Sequence, residues 1–535
     1  MLRLVTLACL LLSVPVLGVL GSWLVFDTHS LATLQHQWQT VLPEYVWNSA
    51  LLAASVGIGV AMVGGGAAAA VSLFEFPLRR VFEWALLLPM AMPAYVLAYA
   101  YTDFLQFGGA LQGGLRAVAG VEGALWPDVR SLPGAVVLFV LCLYPYVYLL
   151  TRTALGERAV PLMEAARLLG AGTMRRVREV ALPLARPALA AGVALALMET
   201  LADYGVGSYF GLATVTTGIY KAWLVMNDRI AAAQLASVLL AGVALLLWLE
   251  RRAQRRLRFT ASRLGAAHSV EARPFVLHGG QAAIAFGLCA LPVLLGFALP
   301  VAVLLQLAAQ DWLATDAAPQ WARFAQWGWT SFHLAASAAV LALMLALALS
   351  FGRRLNSGPL LRSAATVVSL GYAVPGAVIA VGILLPLAWW QAVAPDVGAA
   401  ALVTGTVFGL LYAYLVRFSA VALQSVEAGY ARVPASVDET ARTLGVSPRR
   451  VFVELHAPLL RRSALAAALL VFVDVMKELP ATLLLRPFDS DTLAVVAYQL
   501  ARDERLSEAA LPSLAIVVVG LIPVLMLSRA IRAKR

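Results

Sequence analysis

The segment EAARLLGAGTMRRVREVALP at Glu164–Pro183 is repeated in the chain as ETARTLGVSPRRVFVELHAP at Glu439–Pro458. The two copies align without a gap at an offset of 275 residues. Each copy predicts a short helix, a glycine that ends it in left-handed backbone, and a second helix that begins afresh. In the second copy, Ser447 and Pro448 fit the N-cap and the first position of that helix. The copies, called here the first and second elbow, indicate an internal repeat and therefore a chain of two halves.

Outside the elbows the chain is too apolar for an ordinary soluble protein. Of its 535 residues 61% are hydrophobic and 13% charged, and the mean hydropathy is +0.83. Apolar runs repeatedly exceed the roughly 20 residues needed to cross a bilayer. We therefore predict an all-α integral membrane protein with about 12 transmembrane helices in two pseudo-symmetric halves. Ten windows without Asp, Glu, Lys or Arg and two apolar windows with acids predict the spans: 4–26, 45–74, 84–102, 131–151, 187–210, 230–249, 274–310, 324–352, 363–395, 397–416, 463–485 and 509–528.

The basic residues predict how these spans are oriented. With a cytoplasmic N-terminus, most of the 40 Lys and Arg residues fall on inner loops. This asymmetry follows the positive-inside rule and predicts that both termini are cytoplasmic. The formal charge of +11 is then a topology signal with some attraction to anionic lipids, and not a sign of nucleic-acid binding. The N-terminal run lacks a clear cleavage site, so we expect it to stay as the first span.

Two proline-containing segments also repeat. LPMAMPAYVLAYA at 88–100 returns as LGYAVPGAVIAVG at 370–382, which places Pro93 on Pro375 at an offset of 282. Proline inside a span removes a backbone hydrogen bond and bends the helix. A paired bend is therefore expected in the two halves. The halves and linker are predicted as 1–250 with an elbow region at 161–187, 251–277, and 278–535 with an elbow region at 434–462.

The elbow spacing resembles a known family. The pattern E-A-A, three residues, Gly, nine residues, an apolar residue, any residue, L-P is similar to the cytoplasmic loop of binding-protein-dependent ABC importer permeases. The first elbow matches at every marked position, with Val180 as the apolar residue, and the second departs at Thr440 and Ala457. The resemblance implies a type I ABC importer permease (MetI-like) fold in which each elbow docks on an ATPase subunit. The residues it implies in ATPase coupling are Glu164, Ala165, Ala166, Gly170, Pro183, Glu439, Ala441, Gly445 and Pro458.

The same resemblance implies partners and a subfamily. It implies a bacterial inner-membrane permease that works with two copies of an ATPase subunit and a periplasmic substrate-binding protein. TGIYKAW at 217–223, QLASVLL at 234–240, DVMKELPATLL at 474–484 and the outer loop 486–508 are similar to ferric-iron permeases of this kind. Permeases for thiamine, polyamines and phosphonates share the layout, so those substrates stay open. Ferric iron is the favoured substrate.

Acidic residues occur at matching places inside two spans. Glu199 and Asp203 in the first half fall on Asp474 and Glu478 in the second at the same offset of 275. Acids inside a membrane are costly, and they line a pathway or pair with a partner. A hard trivalent cation would favour such oxygen ligands, so these acids and Tyr204 are candidate pathway or gate residues. Lys477 supplies the alternative interpretation, a structural ion pair, and the sequence fixes no metal ligand.

The sequence offers no ATP site of the P-loop kind. That loop needs a lysine after a glycine, and none of Lys221, Lys477 and Lys534 follows one. We therefore expect no enzyme activity and no cofactor on this chain, with ATP and Mg²⁺ bound by the partner ATPase. The alternative from another class is an ion-coupled secondary transporter, which needs no elbows. A secondary transporter of that class is expected to have a characteristic charged loop after its second span. In this chain the loop at that place is FEFPLRR at 74–80, which departs from the expected pattern.

Overall fold

The computed structural model describes residues 2–25, 28–156, 160–261, 275–314, 321–355, 358–393 and 403–533. These residues form two compact units, each built from three stretches of chain. The first-elbow unit comprises Thr40–Thr217, Ala241–Pro319 and Ala497–Arg535. The second-elbow unit comprises Met1–Gln39, Gly218–Leu240 and Gln320–Val496. The units thus exchange segments relative to the halves 1–250 and 278–535, which remain a prediction about the sequence repeat.

Helices dominate the first-elbow unit. Its α-helices are Leu42–Leu73, Arg79–Ala85, Ala94–Leu105, Ala110–Ala119, Leu132–Ala154, Val160–Leu168, Thr173–Arg176, Leu182–Ala202, Gly205–Tyr209, Gly279–Val293, Leu299–Ala314 and Leu506–Ala533. Its shorter turns are the 3₁₀ helix Leu88–Ala91 and the π-helices Val177–Ala181 and Leu294–Ala298. The strands Phe74–Glu75 and Phe275–Val276 pair in parallel, a contact that the sequence did not predict.

The second-elbow unit is also helical. Its α-helices are Leu2–Leu11, Val14–Gly21, Thr28–Gln39, Trp321–Leu355, Pro359–Leu370, Gly376–Val393, Val407–Tyr430, Ala435–Thr443, Pro448–Val451, Ala457–Met476 and Pro480–Leu485. Its shorter turns are the 3₁₀ helices Ser22–Val25 and Gly371–Ala373 and the π-helices Lys221–Val225 and Phe452–His456. Three further helices contain a boundary between the units: Val215–Tyr220, Arg229–Ala261 and Leu493–Arg502.

Small residues allow the central helices to pack closely. In the first-elbow unit, a Cβ added at Gly64 would lie 2.6 Å from the backbone oxygen of Tyr144. One added at Gly192 would lie 2.6 Å from the Cα of Val147. The helices Leu42–Leu73 and Leu182–Ala202 therefore approach Leu132–Ala154 where only glycine fits.

The paired prolines interrupt their helices. Met92 is extended with ψ 115°, and a helix begins again at Ala94 after Pro93. Val374 is likewise extended with ψ 122°, and a helix begins again at Gly376. The first pair of helices is bent by 91° at the break. The predicted bends are thus breaks, because the proline and the extended residue before it end one helix and start another.

Ten described helices are long and apolar enough to cross a membrane, or eleven if the bent pair at Pro93 is one span. Among the twelve predicted windows, the one at 463–485 has no counterpart in this set of helices. The helix at that place, Ala457–Met476, carries three charged residues, Arg461, Arg462 and Asp474. The linker predicted at 251–277 is helical up to Ala261, and its residues 262–274 lie outside the described chain.

Candidate functional site

The first elbow begins with the helix Val160–Leu168, which ends at a left-handed glycine. Gly170 has φ 83°, and its N–H donates to the carbonyl of Arg167 at 2.9 Å. The N–H of Ala171 donates to the carbonyl of Ala166 at 3.0 Å. These two bonds form a Schellman motif, which satisfies carbonyls that the helix end would leave without donors.

The second elbow ends its first helix, Ala435–Thr443, in the same way. Gly445 has φ 68°, and its N–H donates to Arg442 at 3.1 Å. The N–H of Val446 donates to the carbonyl of Ala441 at 3.0 Å. All four positions lie 275 residues after their counterparts. The predicted left-handed glycine is therefore confirmed in both elbows, as is Ser447 in the N-cap place before Pro448.

Each elbow contains a π turn that ends two positions before its proline. The turns are Val177–Ala181 and Phe452–His456, again at an offset of 275. Proline has no N–H and its ring clashes with the carbonyl four residues earlier. Widening the turn before Pro183 and Pro458 accommodates that clash, and an i,i+5 hydrogen bond takes over. The repeat therefore extends to this irregular backbone.

The outer surface of each elbow exposes large apolar side chains. Leu169 is 88% exposed and its counterpart Leu444 is 74% exposed. Leu168 beside it is 85% exposed. The implied coupling residue Glu439 is also exposed, whereas Ala441 is buried beneath it. The side chain of Glu164 lies outside the described part of the structure, and Ala165 is exposed.

The inner surfaces of the two elbows differ in chemistry. Under the first elbow, Met163 and Ala181 belong to a buried apolar cluster with Leu73, Leu155 and Ala185. Positions 163 and 181 correspond to Asp438 and His456 in the second elbow. One elbow is therefore held by hydrophobic packing and the other by polar contacts.

Three charged or polar partners surround His456. Its Nε2 lies 2.8 Å from a carboxylate oxygen of Asp438, and its Nδ1 lies 3.3 Å from the hydroxyl of Tyr430. Arg354 also pairs with Asp438, and it donates to the carbonyls of Val433 at 2.9 Å and Pro434 at 2.8 Å. His456 is 0% exposed, and burial lowers its pKa below the ordinary 6.5, against the opposing charge of Asp438. A neutral imidazole with its proton on Nε2 suits both neighbours.

Among the four predicted membrane acids, Glu478 is buried and held by several hydrogen bonds. Its carboxylate accepts from the N–H of Ala481 at 2.9 Å, the N–H of Thr482 at 3.0 Å and the hydroxyl of Thr482 at 2.5 Å. Arg417 lies 3.7 Å away, and both side chains are buried. These contacts cap the helix Pro480–Leu485. Glu478 therefore has a structural role in this arrangement.

Asp203, the counterpart of Glu478, makes one similar contact. Its carboxylate accepts from the N–H of Val206 at 2.8 Å, at the start of the helix Gly205–Tyr209. Tyr204 is buried, and its hydroxyl accepts from Tyr498 at 3.4 Å. The helix begun at this acid thus brings a tyrosine pair together in the first-elbow unit.

The other two acids are half-buried on their helices. Asp474 pairs with Lys477 at 3.2 Å, which is the ion pair that the sequence offered as an alternative. Glu199 lies near the end of the helix Leu182–Ala202. The predicted pathway role of all four acids stays a prediction. In the described chain no group of three His, Cys, Asp or Glu residues could hold a metal ion, and the three cysteines are buried thiols.

Arg417 and His456 are two buried residues that were not predicted from the sequence. Arg417 directly follows the window 397–416 and is buried inside the helix Val407–Tyr430. A buried arginine at membrane depth requires an acidic neighbour, so its position was a usable signal. His456 carried no such signal, because its partners come from distant parts of the chain.

Comparison with known proteins gives an independent result. The family described as "Binding-protein-dependent transport system inner membrane component" matches residues 61–259, which include the first elbow. The Fe(3+)-transport system permease protein FbpB 2 of Haemophilus influenzae is 25% identical over 494 residues, covering 91% of this chain and 90% of that protein.

Two shorter similarities concern permeases with other named substrates. The molybdenum transport system permease protein ModB of Escherichia coli is 28% identical over 191 residues, covering 34% of this chain and 81% of that protein. The putative 2-aminoethylphosphonate transport system permease protein PhnU of Salmonella paratyphi A is 27% identical over 152 residues, covering 28% of this chain and 53% of that protein. Because the family match contains the first elbow and the nearly full-length similarity contains both, the chain is a multi-pass permease of binding-protein-dependent ABC transport, built from two repeats.

Proposed function

We propose that this permease imports ferric iron and that its two elbows dock on two copies of an ATPase subunit. A periplasmic binding protein delivers the substrate to the outer surface, and both termini lie in the cytoplasm. ATP and Mg²⁺ are bound by the ATPase subunits. ATP binding there moves the elbows and opens the pathway outward, and hydrolysis resets it.

The identical backbone of the two elbows supports the docking proposal best. Both first helices end in the same Schellman motif, and both expose a leucine at the same position, Leu169 and Leu444. Exposed leucines next to a rigid turn are suited to a hydrophobic groove on a partner. Two such surfaces suit two copies of one partner.

Copurification tests the docking. The variant Leu169→Asp with Leu444→Asp is expected to retain about tenfold less ATPase than the native chain, because it places charges in the apolar contact. Val118→Asp is the matched control, since Val118 is 89% exposed on the helix Ala110–Ala119, which is part of neither elbow. Equal ATPase retention by the elbow variant and the control would contradict docking through the leucines.

The ferric assignment rests on the extent of similarity. The Haemophilus influenzae ferric permease aligns along 91% of this chain, whereas the molybdenum and aminoethylphosphonate permeases align along 34% and 28%. The half-buried acids Glu199 and Asp474 suit a cation better than an oxyanion, because carboxylates attract hard cations and repel anions.

Uptake into vesicles tests the substrate. Vesicles containing the permease, its ATPase and its binding protein are expected to accumulate radiolabelled ferric iron only with ATP. Molybdate, sulfate and 2-aminoethylphosphonate are measured in parallel. If one of these is taken up with ATP and iron is not, the ferric assignment is wrong but the proposed function as an ABC importer permease stands. Uptake driven by an ion gradient without ATPase would favour the secondary-transporter alternative.

A further inference from the structure

An arginine-lined cavity lies at the base of the second elbow. It encloses about 500 Å³, within the range of small-ligand sites. Its lining contains three arginines and one glutamate, and one of these arginines, Arg354, is also paired with Asp438. The lining residues that carry the argument are Ser350, Arg353, Arg354, Gly358, Arg362 and Glu427. None of these residues is an exposed leucine of an elbow or one of the four membrane acids.

We propose that this cavity is a binding site for a phosphoryl anion, held by Arg353 and Arg362. The guanidinium of Arg353 pairs with Glu427, and both side chains are partly exposed, at 38% and 39%. A guanidinium has five N–H donors in a planar fork, so one carboxylate leaves donors for an anion. Arg362 is exposed on the same cavity.

Two neutral groups add to the attraction. Ser350 is buried, and its hydroxyl has no hydrogen-bond partner among the described residues. Gly358 is the N-cap of the helix Pro359–Leu370, whose N-terminal end carries partial positive charge. A phosphoryl group in the cavity thus meets a hydroxyl and a helix terminus in addition to the arginines.

Arg354 has a different part in this site. Its guanidinium is occupied by Asp438 and by the carbonyls of Val433 and Pro434, which lead into the helix that carries Glu439. It therefore acts as a positioning residue between the cavity and the second elbow.

In the first half, the arginines of this region are more buried than Arg353, with 9% of the Arg79 side chain and 15% of the Arg152 side chain exposed. There Arg79 pairs with Glu75 at 2.8 Å and lies 3.6 Å from Glu83, and Arg152 pairs with Glu83 at 3.2 Å. Arg152 occupies the position of Glu427 at the offset of 275, so the charge at this position is reversed between the halves.

Binding of inorganic phosphate tests the site. The purified full chain in phosphatidylcholine nanodiscs is expected to bind radiolabelled phosphate at one saturable site. Arg362→Gln should weaken this binding about tenfold, because it removes a charged hydrogen-bond donor. Arg362→Lys, which keeps the charge without the fork, should fall between the two. Arg80→Gln is the matched control, since exposed Arg80 corresponds to Arg362 at the offset of 282.

A second arm identifies the source of the phosphoryl group. Nanodiscs with phosphatidylglycerol are compared by mass spectrometry of the retained lipid. Retention by the native chain and loss in Arg362→Gln, without binding of free phosphate, would assign the site to a lipid headgroup. If neither free phosphate nor phosphatidylglycerol distinguishes the native chain from Arg362→Gln and from Arg353→Gln, the proposal is wrong.

Discussion

Gly170 and Gly445 are required by backbone conformation alone. Both have positive φ, and a Cβ added at either would meet no atom within 4 Å. The cost of a side chain there is therefore conformational and not steric. This is why the sequence predicted both residues correctly, since a left-handed helix end depends on local geometry that neighbouring residues already indicate.

The first prediction follows from these glycines. Gly170→Ala and Gly445→Ala should each destabilise their elbow by about 1–2 kcal/mol, the cost of left-handed backbone for alanine. Hydrogen exchange at the amides of 171 and 446 and ATP-driven uptake are the measurements. Gly170→Asn should be milder, because asparagine tolerates this conformation.

Gly172 provides the control for this prediction. It lies in the same loop, has no neighbour within 4 Å of an added Cβ, and does not have positive φ. Gly172→Ala should therefore change exchange and uptake less than Gly170→Ala does. Equal effects of alanine at 170 and 172 would show that the left-handed backbone is not the reason for the glycine.

The membrane acids are harder to interpret from sequence. Position alone does not show whether backbone N–H groups point at a carboxylate, and those groups decide the role of Glu478. The segment KELPAT at 477–482 held a partial signal, because a proline at the start of a helix favours an acid just before it.

The second prediction separates two of these acids. Glu478→Ala leaves buried Arg417 without its acidic neighbour and removes a helix cap, and such losses cost about 3–5 kcal/mol. Its abundance and thermal stability in detergent should fall. Asp474→Asn breaks a more exposed pair with Lys477 and should keep stability within about 1 kcal/mol while ferric uptake falls. Normal uptake by a well-expressed Asp474→Asn would exclude a required pathway role for Asp474.

At the scale of elements, the elbows share a backbone but differ beneath it. The offset of 275 predicted the helix, glycine and proline positions in both copies. It did not predict that Asp438 and His456, which stand at the positions of Met163 and Ala181, would form a polar cluster. Such contacts depend on Arg354 and Tyr430, which the folded chain brings from other helices.

The third prediction concerns pH. Burial keeps His456 neutral in the folded chain at a pH where the unfolded chain takes up a proton. The stabilisation from neutral His456 is therefore present above about pH 6.5 and is lost as pH falls below it. Asp438, Arg354 and Tyr430 are the charged and titratable groups that contact this cluster. Protection factors of the amides at 449–456 should fall between pH 7.5 and 5.5.

The first elbow is the internal control, because positions 163 and 181 there do not titrate. Protection at 173–181 should change little over the same range. His456→Gln should abolish the pH dependence of the second elbow. A dependence that survives in His456→Gln would assign the titration to another group.

At the scale of the whole molecule, hydropathy predicted the number of spans approximately. It placed most windows on helices, but it treated the segments at Pro93 and Pro375 as continuous spans. It also gave no sign that the compact units exchange segments, with Met1–Gln39 in the unit of the second elbow. Hydropathy measures burial in lipid and contains no term for which helix packs on which.

The fourth prediction tests the orientation of the membrane protein. Phe488 is 98% exposed in the loop predicted to be external, and Leu444 is 74% exposed in an elbow predicted to be cytoplasmic. A membrane-impermeant maleimide should label Phe488→Cys in intact cells, and Leu444→Cys only after permeabilisation. The buried native cysteines give a low background. Labelling of Leu444→Cys in intact cells would reverse the predicted orientation.

The π turns at Val177–Ala181 and Phe452–His456 have a geometric consequence. Each contains one residue more than an α turn, and one residue rotates an α-helix by about 100°. The extra residue in each π turn therefore sets the rotational position of the elbow about the axis of the following span. The nearby proline keeps that residue in the turn. Deleting one residue of the turn and replacing its proline would rotate Leu169 or Leu444 about the axis of the following span. The distance of the leucine from the membrane would hardly change.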